Sequence, residues 1–402
     1  MARMVEPTIG ERIRELRRSI YTQVELAVAA DVSVDVIRKL EQGRRLTASI
    51  GTLQRIARAL DVGVADLLGR SDPAPAEEGQ AGLSAIRDAL TSIDDLLGAV
   101  DDVDVPPVEV LARSVTYGWG AYWAGRYELL AALLPDLLVT SRAVLRACPV
   151  AAHPRAIDLA AQVHQLTANT LVGLDAPDLA YLAARESLRF SGSGEDPLRD
   201  AAMRLTLNYV LSRQGQFVEA EHLAVDTAEN CRPGAAAGPG QLSVYGGLLL
   251  GAATAAARER RTGAARELLA EASVVADRAG VDRTDYEVVF GPSNMIMQAV
   301  DVAVVTEDFP AAAQLARRMP GDSALPLAAP SRHLADVAHT QVRLGRTGPA
   351  ESTLLMMERA APEWTAHHRL PRILIGELLT RGRPSARLRE LADRLNVRPR
   401  QE

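Results

Sequence analysis

Seven short polar turns, spaced about 37 to 49 residues apart, divide most of this chain into pairs of alanine- and leucine-rich segments. The turns fall at Gly125-Arg126-Tyr127, Leu174-Asp175-Ala176, Gly215-Gln216-Phe217, Arg261-Thr262-Gly263, Glu307-Asp308-Phe309, Gly345-Arg346-Thr347 and Arg381-Gly382-Arg383. Segments after the turns begin alike, as in Phe217-Val218-Glu219-Ala220-Glu221 and Phe309-Pro310-Ala311-Ala312-Ala313. Small alanines at those places let a second helix nest against the one before it. Val, Ile and Thr never alternate over a strand length, so the expected fold is all-α. About seven helical hairpins would stack as an α-solenoid with an inner groove; the alternative is an irregular helical bundle without one.

Before the repeats, Thr22 to Gly43 read TQVELAVAADVSVDVIRKLEQG. Thr22 with Glu25 three residues on forms a capping box that starts a helix. Leu26, Ala27 and Ala30 make its inward stripe, Asp31-Val32 the turn, and Ser33 the cap of a second helix. Val36, Ile37 and Leu40 face inward there, leaving Val34, Asp35, Arg38 and Lys39 outside. Ile9, Ile13 and Leu16 precede this pair on an arginine-rich helix. Ile50, Leu53, Ile56, Ala57 and Leu60 follow on a helix capped by Ser49, and a short fifth helix ends at Leu67-Leu68. A helix pair of this shape places the N-terminal part of its second helix in a DNA major groove.

Ile9 to Gly69 resembles the Cro/lambda-repressor type of helix-turn-helix domain, the XRE family. The matching residues are Thr22-Gln23, Leu26-Ala27, Val32-Ser33, Ile37, Leu40-Glu41-Gln42-Gly43 and the Leu53, Ala57, Leu60 helix. The resemblance implies base contacts from Val34, Asp35 and Lys39, with Arg38 beside them. It implies a phosphate contact from Gln23, flanked by Thr22, Ser33, Arg44 and Arg45. It also implies that Glu41 pairs with Arg17 at the end of the first helix. The Ser19-Ile20-Tyr21 connection departs from the family by being one residue shorter and lacking its glycine. Asp35 departs too, and either accepts from cytosine N4 or serves the helix N-terminus through the macrodipole. A head of this kind followed by tetratricopeptide-like repeats resembles a large group of regulators in high-GC Gram-positive bacteria. More distantly it resembles the peptide-pheromone receptors of low-GC relatives.

Charge agrees with a DNA-reading head. The chain carries 45 Lys+Arg against 51 Asp+Glu, net −6. Residues 1–70 hold 12 basic and 9 acidic side chains, and the remainder 33 and 42, giving +3 and −9. An acidic body avoids nonspecific phosphate contacts. Lys39 is the single lysine, so no P-loop, Schiff-base or kinase-type lysine exists outside the second helix of the pair. Cys148 and Cys231 are far apart and read as buried thiols of a reducing cytoplasm. The histidines form no recognised ligand pair, and His367-His368 are expected to point to different sides of a helix. No apolar run reaches eighteen residues and no signal peptide is present. The expectation is a cytoplasmic protein, not an enzyme, with neither metal nor cofactor and no membrane partner.

Residues 1–70 are thus expected to be the DNA-binding head, 71–80 a Pro/Ala/charge linker, and 81–402 the repeat domain, entered by a helix from Leu83 to Leu97. Candidate effector residues are Trp119, Tyr122 and Trp123, as a pocket wall or as core of the first repeat. Asn169, Asn208, Asn294 and Arg332 are the polar candidates on first-of-pair helices, the asparagines alternatively capping turns or lying at the surface. The leading expectation is a transcriptional regulator that binds an operator as a homodimer and senses a small-molecule or peptide effector. The alternative is an adaptor whose body holds a partner protein and whose head localises it to DNA.

Overall fold

The computed structural model describes residues 9–17, 21–30, 32–43, 50–60, 77–93, 105–321, 325–381 and 384–397. They divide into two compact units, 1–80 and 81–402. In the first unit lie α1 (Ile9–Arg17), α2 (Gln23–Ala29), α3 (Val34–Glu41) and α4 (Ile50–Ala59). Their core is Ile13, Leu26, Ala27, Ala30, Ile37, Leu40, Ile56, Ala57 and Leu60. The capping box at α2 is complete: Thr22 N–H donates to Glu25 Oε2 at 2.7 Å and Glu25 N–H to Thr22 Oγ1 at 3.2 Å. The expected fifth helix, the Ser49 cap and Asp31 lie outside the described residues.

Helix α5 runs Glu77–Thr91, earlier than the expected Leu83–Leu97, and shortens the expected linker. Ile86 and Ala89 bury its inner side, whereas Ile93 is 59% exposed beyond its end. Helix pairs follow: α6 (Val108–Trp123) with α7 (Tyr127–Ala147), α8 (His153–Gly173) with α9 (Pro177–Ser191), α10 (Pro197–Arg213) with α11 (Phe217–Asn230), and α12 (Pro239–Arg258) with α13 (Thr262–Ala279). Beyond them stand α14 (Pro292–Val305) with α15 (Phe309–Ala316), α16 (Ala328–Arg343) with α17 (Thr347–Ala360), a short α18 (Pro362–His367), and α19 (Arg369–Thr380) with α20 (Ala386–Arg394). Helices flank all seven expected turns, and Gly382 and Arg383 of the last turn lie outside the described residues.

One device builds the first six turns. Each puts a single residue in the left-handed region: Gly125, Asp175, Gly215, Arg260, Glu307 and Gly345. The N–H of the very next residue reaches back five residues, as Arg126 to Ala121, Gln216 to Leu211 and Arg346 to Gln341, closing a Schellman motif. Five positions after each left-handed residue stands Leu130, Ala180, Ala220, Ala265, Ala312 or Ala350, every one 0% exposed. Turn and nesting residue therefore keep one register even though glycine appears in only three of the six.

The repeats close on themselves. Tyr127, at the start of α7, is buried in the core of the last hairpins with Ala335, Leu354, Trp364 and Leu374. Its ring also covers Gly173 so closely that a Cβ there would lie 2.4 Å from Cε1. Glu128 N–H donates to Glu363 Oε2 at 3.1 Å across the same seam. His367 and His368 both set their rings 5.8 Å from Tyr127, contrary to the expected divergence, because α18 stops at His367 and His368 is extended.

Against the all-helical expectation, a two-stranded antiparallel hairpin, β1 (Arg283–Asp285) and β2 (Val288–Phe290), separates α13 from α14. Phe290 is its fully buried anchor. Three-residue strands are too short for an alternation to show. The cysteines are half-buried rather than buried, and Cys148 Sγ lies 3.6 Å from His153 Nδ1.

His164 on α8 is 3% exposed, bonded through Nδ1 to the Ala160 carbonyl at 2.8 Å, with Phe190 5.1 Å away. Burial pulls its pKa down to about 4. Unfolding then takes up a proton between pH 6.5 and about 4, so folded stability falls with pH in that window. The wild type is expected to lose about 1 kcal/mol per pH unit there relative to His164→Gln, read from urea melts at pH 7 and pH 4.5.

Candidate functional site

Helix α3 presents Asp35, Arg38 and Lys39 to solvent. Lys39 Nζ sits 2.7 Å from Asp35 Oδ2, and this contact holds the Asp35 carboxyl below its ordinary range. Arg38 acts on Asp35 only through its charge and forms no hydrogen bond or ion pair among the described residues. Val34, expected on the same face, is half-buried and packs on the core instead, since its position follows the capping Ser33. Ser33 Oγ accepts from Val36 N–H at 3.3 Å.

Behind this face lies a polar clamp. Arg17 Nε and Nη2 donate to the two Glu41 oxygens at 2.5 and 2.8 Å, a bidentate pair, as the resemblance implies. Gln23 Nε2 donates to Glu41 Oε2 at 2.8 Å. Burial would raise the Glu41 carboxyl, but the hydrogen bonds from Arg17 and Gln23 bring it below its ordinary value. The expected phosphate ligand Gln23 is thus committed within the free head. Thr22 is likewise engaged in its cap, and Arg44 and Arg45 lie outside the described residues.

Within the helical unit, the first-of-pair helices surround a chamber of about 1270 Å³. Six of the seven expected effector residues line it: Tyr122, Trp123, Asn169, Asn208, Asn294 and Arg332. Trp119 does not. It is 3% exposed in the core of the first hairpins, with Trp123 stacked beside it at 6.2 Å. Asn208 is 3% exposed and donates through Nδ2 to the Ala220 carbonyl at 2.8 Å, tying α10 to α11. Asn169 Nδ2 donates to the Gln165 carbonyl one turn back at 3.1 Å. The Asn294 carboxamide has no partner among the described residues.

The wall also carries a charge network absent from the sequence reading. Arg332 Nη2 donates to Asp301 Oδ1 at 2.7 Å and Nε to Asp336 Oδ2 at 3.3 Å, with Arg258 3.8 Å from Asp301. Burial pushes the Asp336 carboxyl well above its ordinary range even with Arg332 beside it. His333 is 6% exposed, its pKa held by burial to about 4, and its Nδ1 has no partner among the described residues. Trp123 Nε1 donates at 2.9 Å to Glu287, carried by the β1–β2 turn. Asp301, Asp336 and Glu287 give no sequence signal, since single carboxylates far apart converge only through the superhelix.

Residues 13–67 match the family model described as helix-turn-helix. No curated protein matches the sequence. Among solved structures, Bacillus thuringiensis PlcR in complex with the peptide PapR7 and DNA is 14% identical at a TM-score of 0.35, over 68% of this chain and 95% of that one. The first unit of this chain is a helix-turn-helix domain.

Proposed function

We propose that the protein is a sequence-specific transcriptional regulator that reads an operator through α3 and senses an effector in its helical unit. The observation that carries this reading is the exposed Asp35–Arg38–Lys39 face on the second helix of a helix-turn-helix, where base edges are read. The cations of Lys39 and Arg38 suit guanine, and Asp35 suits cytosine N4. One head alone binds weakly, so two heads on half-sites a helical turn apart supply useful affinity, and the helical unit provides the dimer. A concave chamber walled by several helices favours a compact effector over a folded partner protein.

Lys39→Ala is expected to weaken operator binding by about 1–3 kcal/mol while lowering nonspecific affinity much less. Gln23→Ala is expected to weaken all sequences evenly. Titrations of specific and scrambled duplexes separate the two; equal losses for Lys39→Ala would make it a phosphate ligand.

Residues 81–402 alone are expected to be helical and dimeric, and residues 1–70 folded but monomeric, by sedimentation. A dimeric isolated head would overturn the assignment of assembly to the helical unit.

A bound effector raises the melting temperature, the gain corresponding to roughly 2.7 kcal/mol at a hundredfold excess over its dissociation constant. Asn294→Ala is expected to reduce that gain and leave the unliganded melt unchanged. Asn208→Ala is expected to lower the unliganded melt itself, because it removes the buried hydrogen bond that ties α10 to α11.

A further inference from the structure

The β1–β2 turn has only two residues, since Asp285 pairs with Val288. Both are left-handed, Tyr286 at φ 54° and Glu287 at φ 61°, the backbone of a type I′ turn without its usual asparagine and glycine. The turn sends its two side chains apart. Tyr286 lies against Arg199, 4.9 Å from ring centroid to guanidinium, in a separate surface cleft. Glu287 enters the central chamber.

There it meets aromatic rings and no cation. Its Oε2 accepts from the Trp123 indole, whose ring is 4.9 Å from that of Tyr122. The carboxylate forms no ion pair among the described residues, and burial raises it. Arg199, whose charge acts on Glu287 only at longer range, is turned to Asp158 at 2.7 Å. The chamber's other arginines are taken: Arg332 by Asp301 and Asp336, Arg258 by Asp301, Arg213 by Asp175 and Arg343 by Glu377. Arg260 and Arg369 are exposed, where water screens them. Among the buried and half-buried groups of the wall, Glu287 is therefore the carboxylate without a counter-ion among the described residues. A carboxylate with free lone pairs beside indole and phenol faces is the chemistry that receives an organic ammonium.

We propose that the Glu287–Trp123–Tyr122 corner of the chamber binds the ammonium group of a cationic effector with an apolar body. The ammonium would donate to Glu287 and lie against the rings, while its apolar part follows Val288, Leu205 and Leu250 along the wall. This inference rests on the effector-sensing reading of the chamber.

The test compares hexylamine, hexanol and hexanoate on the full-length protein, by calorimetry and Trp fluorescence at neutral pH. Hexylamine is expected to bind at least tenfold tighter than either counterpart. Glu287→Gln is expected to erase that preference while hexanol binding and the unliganded melt stay unchanged. Hexanoate binding as tightly as hexylamine, or a preference that survives Glu287→Gln, would overturn the cationic corner and leave the sensing chamber standing. Failure of all three to bind would overturn both.

Discussion

The burial of Tyr127 holds the helical unit in its closed form. A solenoid of hairpins has neighbours only along its own axis, and each end presents an unpaired apolar face. Here the first hairpin covers the last: Tyr127 fills the core of the terminal repeats, and Glu128 bonds Glu363 across the junction. The inner surfaces of the first-of-pair helices, which an open superhelix would offer as a groove, become the wall of a chamber. The close fit of the Tyr127 ring on Gly173 shows how tightly the junction is specified.

Closure explains the chemistry of the wall. Asp301, Asp336 and Arg332 come from two helices and would be solvated surface charges on an isolated hairpin. Inside the ring they lose water and must satisfy each other, which is why Arg332 bridges both carboxylates. The asparagines sort by the same logic. Asn208 spends its amide on the adjoining backbone, whereas Asn294 leaves its carboxamide facing the chamber.

Much of this was legible in the residues. The helix-turn-helix follows from the Thr22–Glu25 box and the Leu26, Ala27, Ile37, Leu40 stripe, because local capping and periodicity decide short helices packed on one core. The hairpins follow from turns and nesting alanines. Closure was not legible, since Tyr127 and Trp364 meet only after every intervening repeat has added its rotation. Trp119 looks like its neighbour Trp123, and a single turn of helix decides that one is core and the other wall. The β hairpin escaped because its tip uses Tyr286-Glu287 in place of a glycine signal.

The six Schellman turns differ in how easily they are made. Gly125, Gly215 and Gly345 adopt the left-handed conformation freely, whereas Asp175, Arg260 and Glu307 hold it against the steric resistance of a Cβ. That resistance is about 1–2 kcal/mol for an ordinary L-residue. The ring thus keeps an undrawn reserve of thermostability at three separated points on its circumference. Evolution or engineering can reach it by single substitutions in exposed turns, Asp175 outside the chamber lining and Arg260 and Glu307 within it.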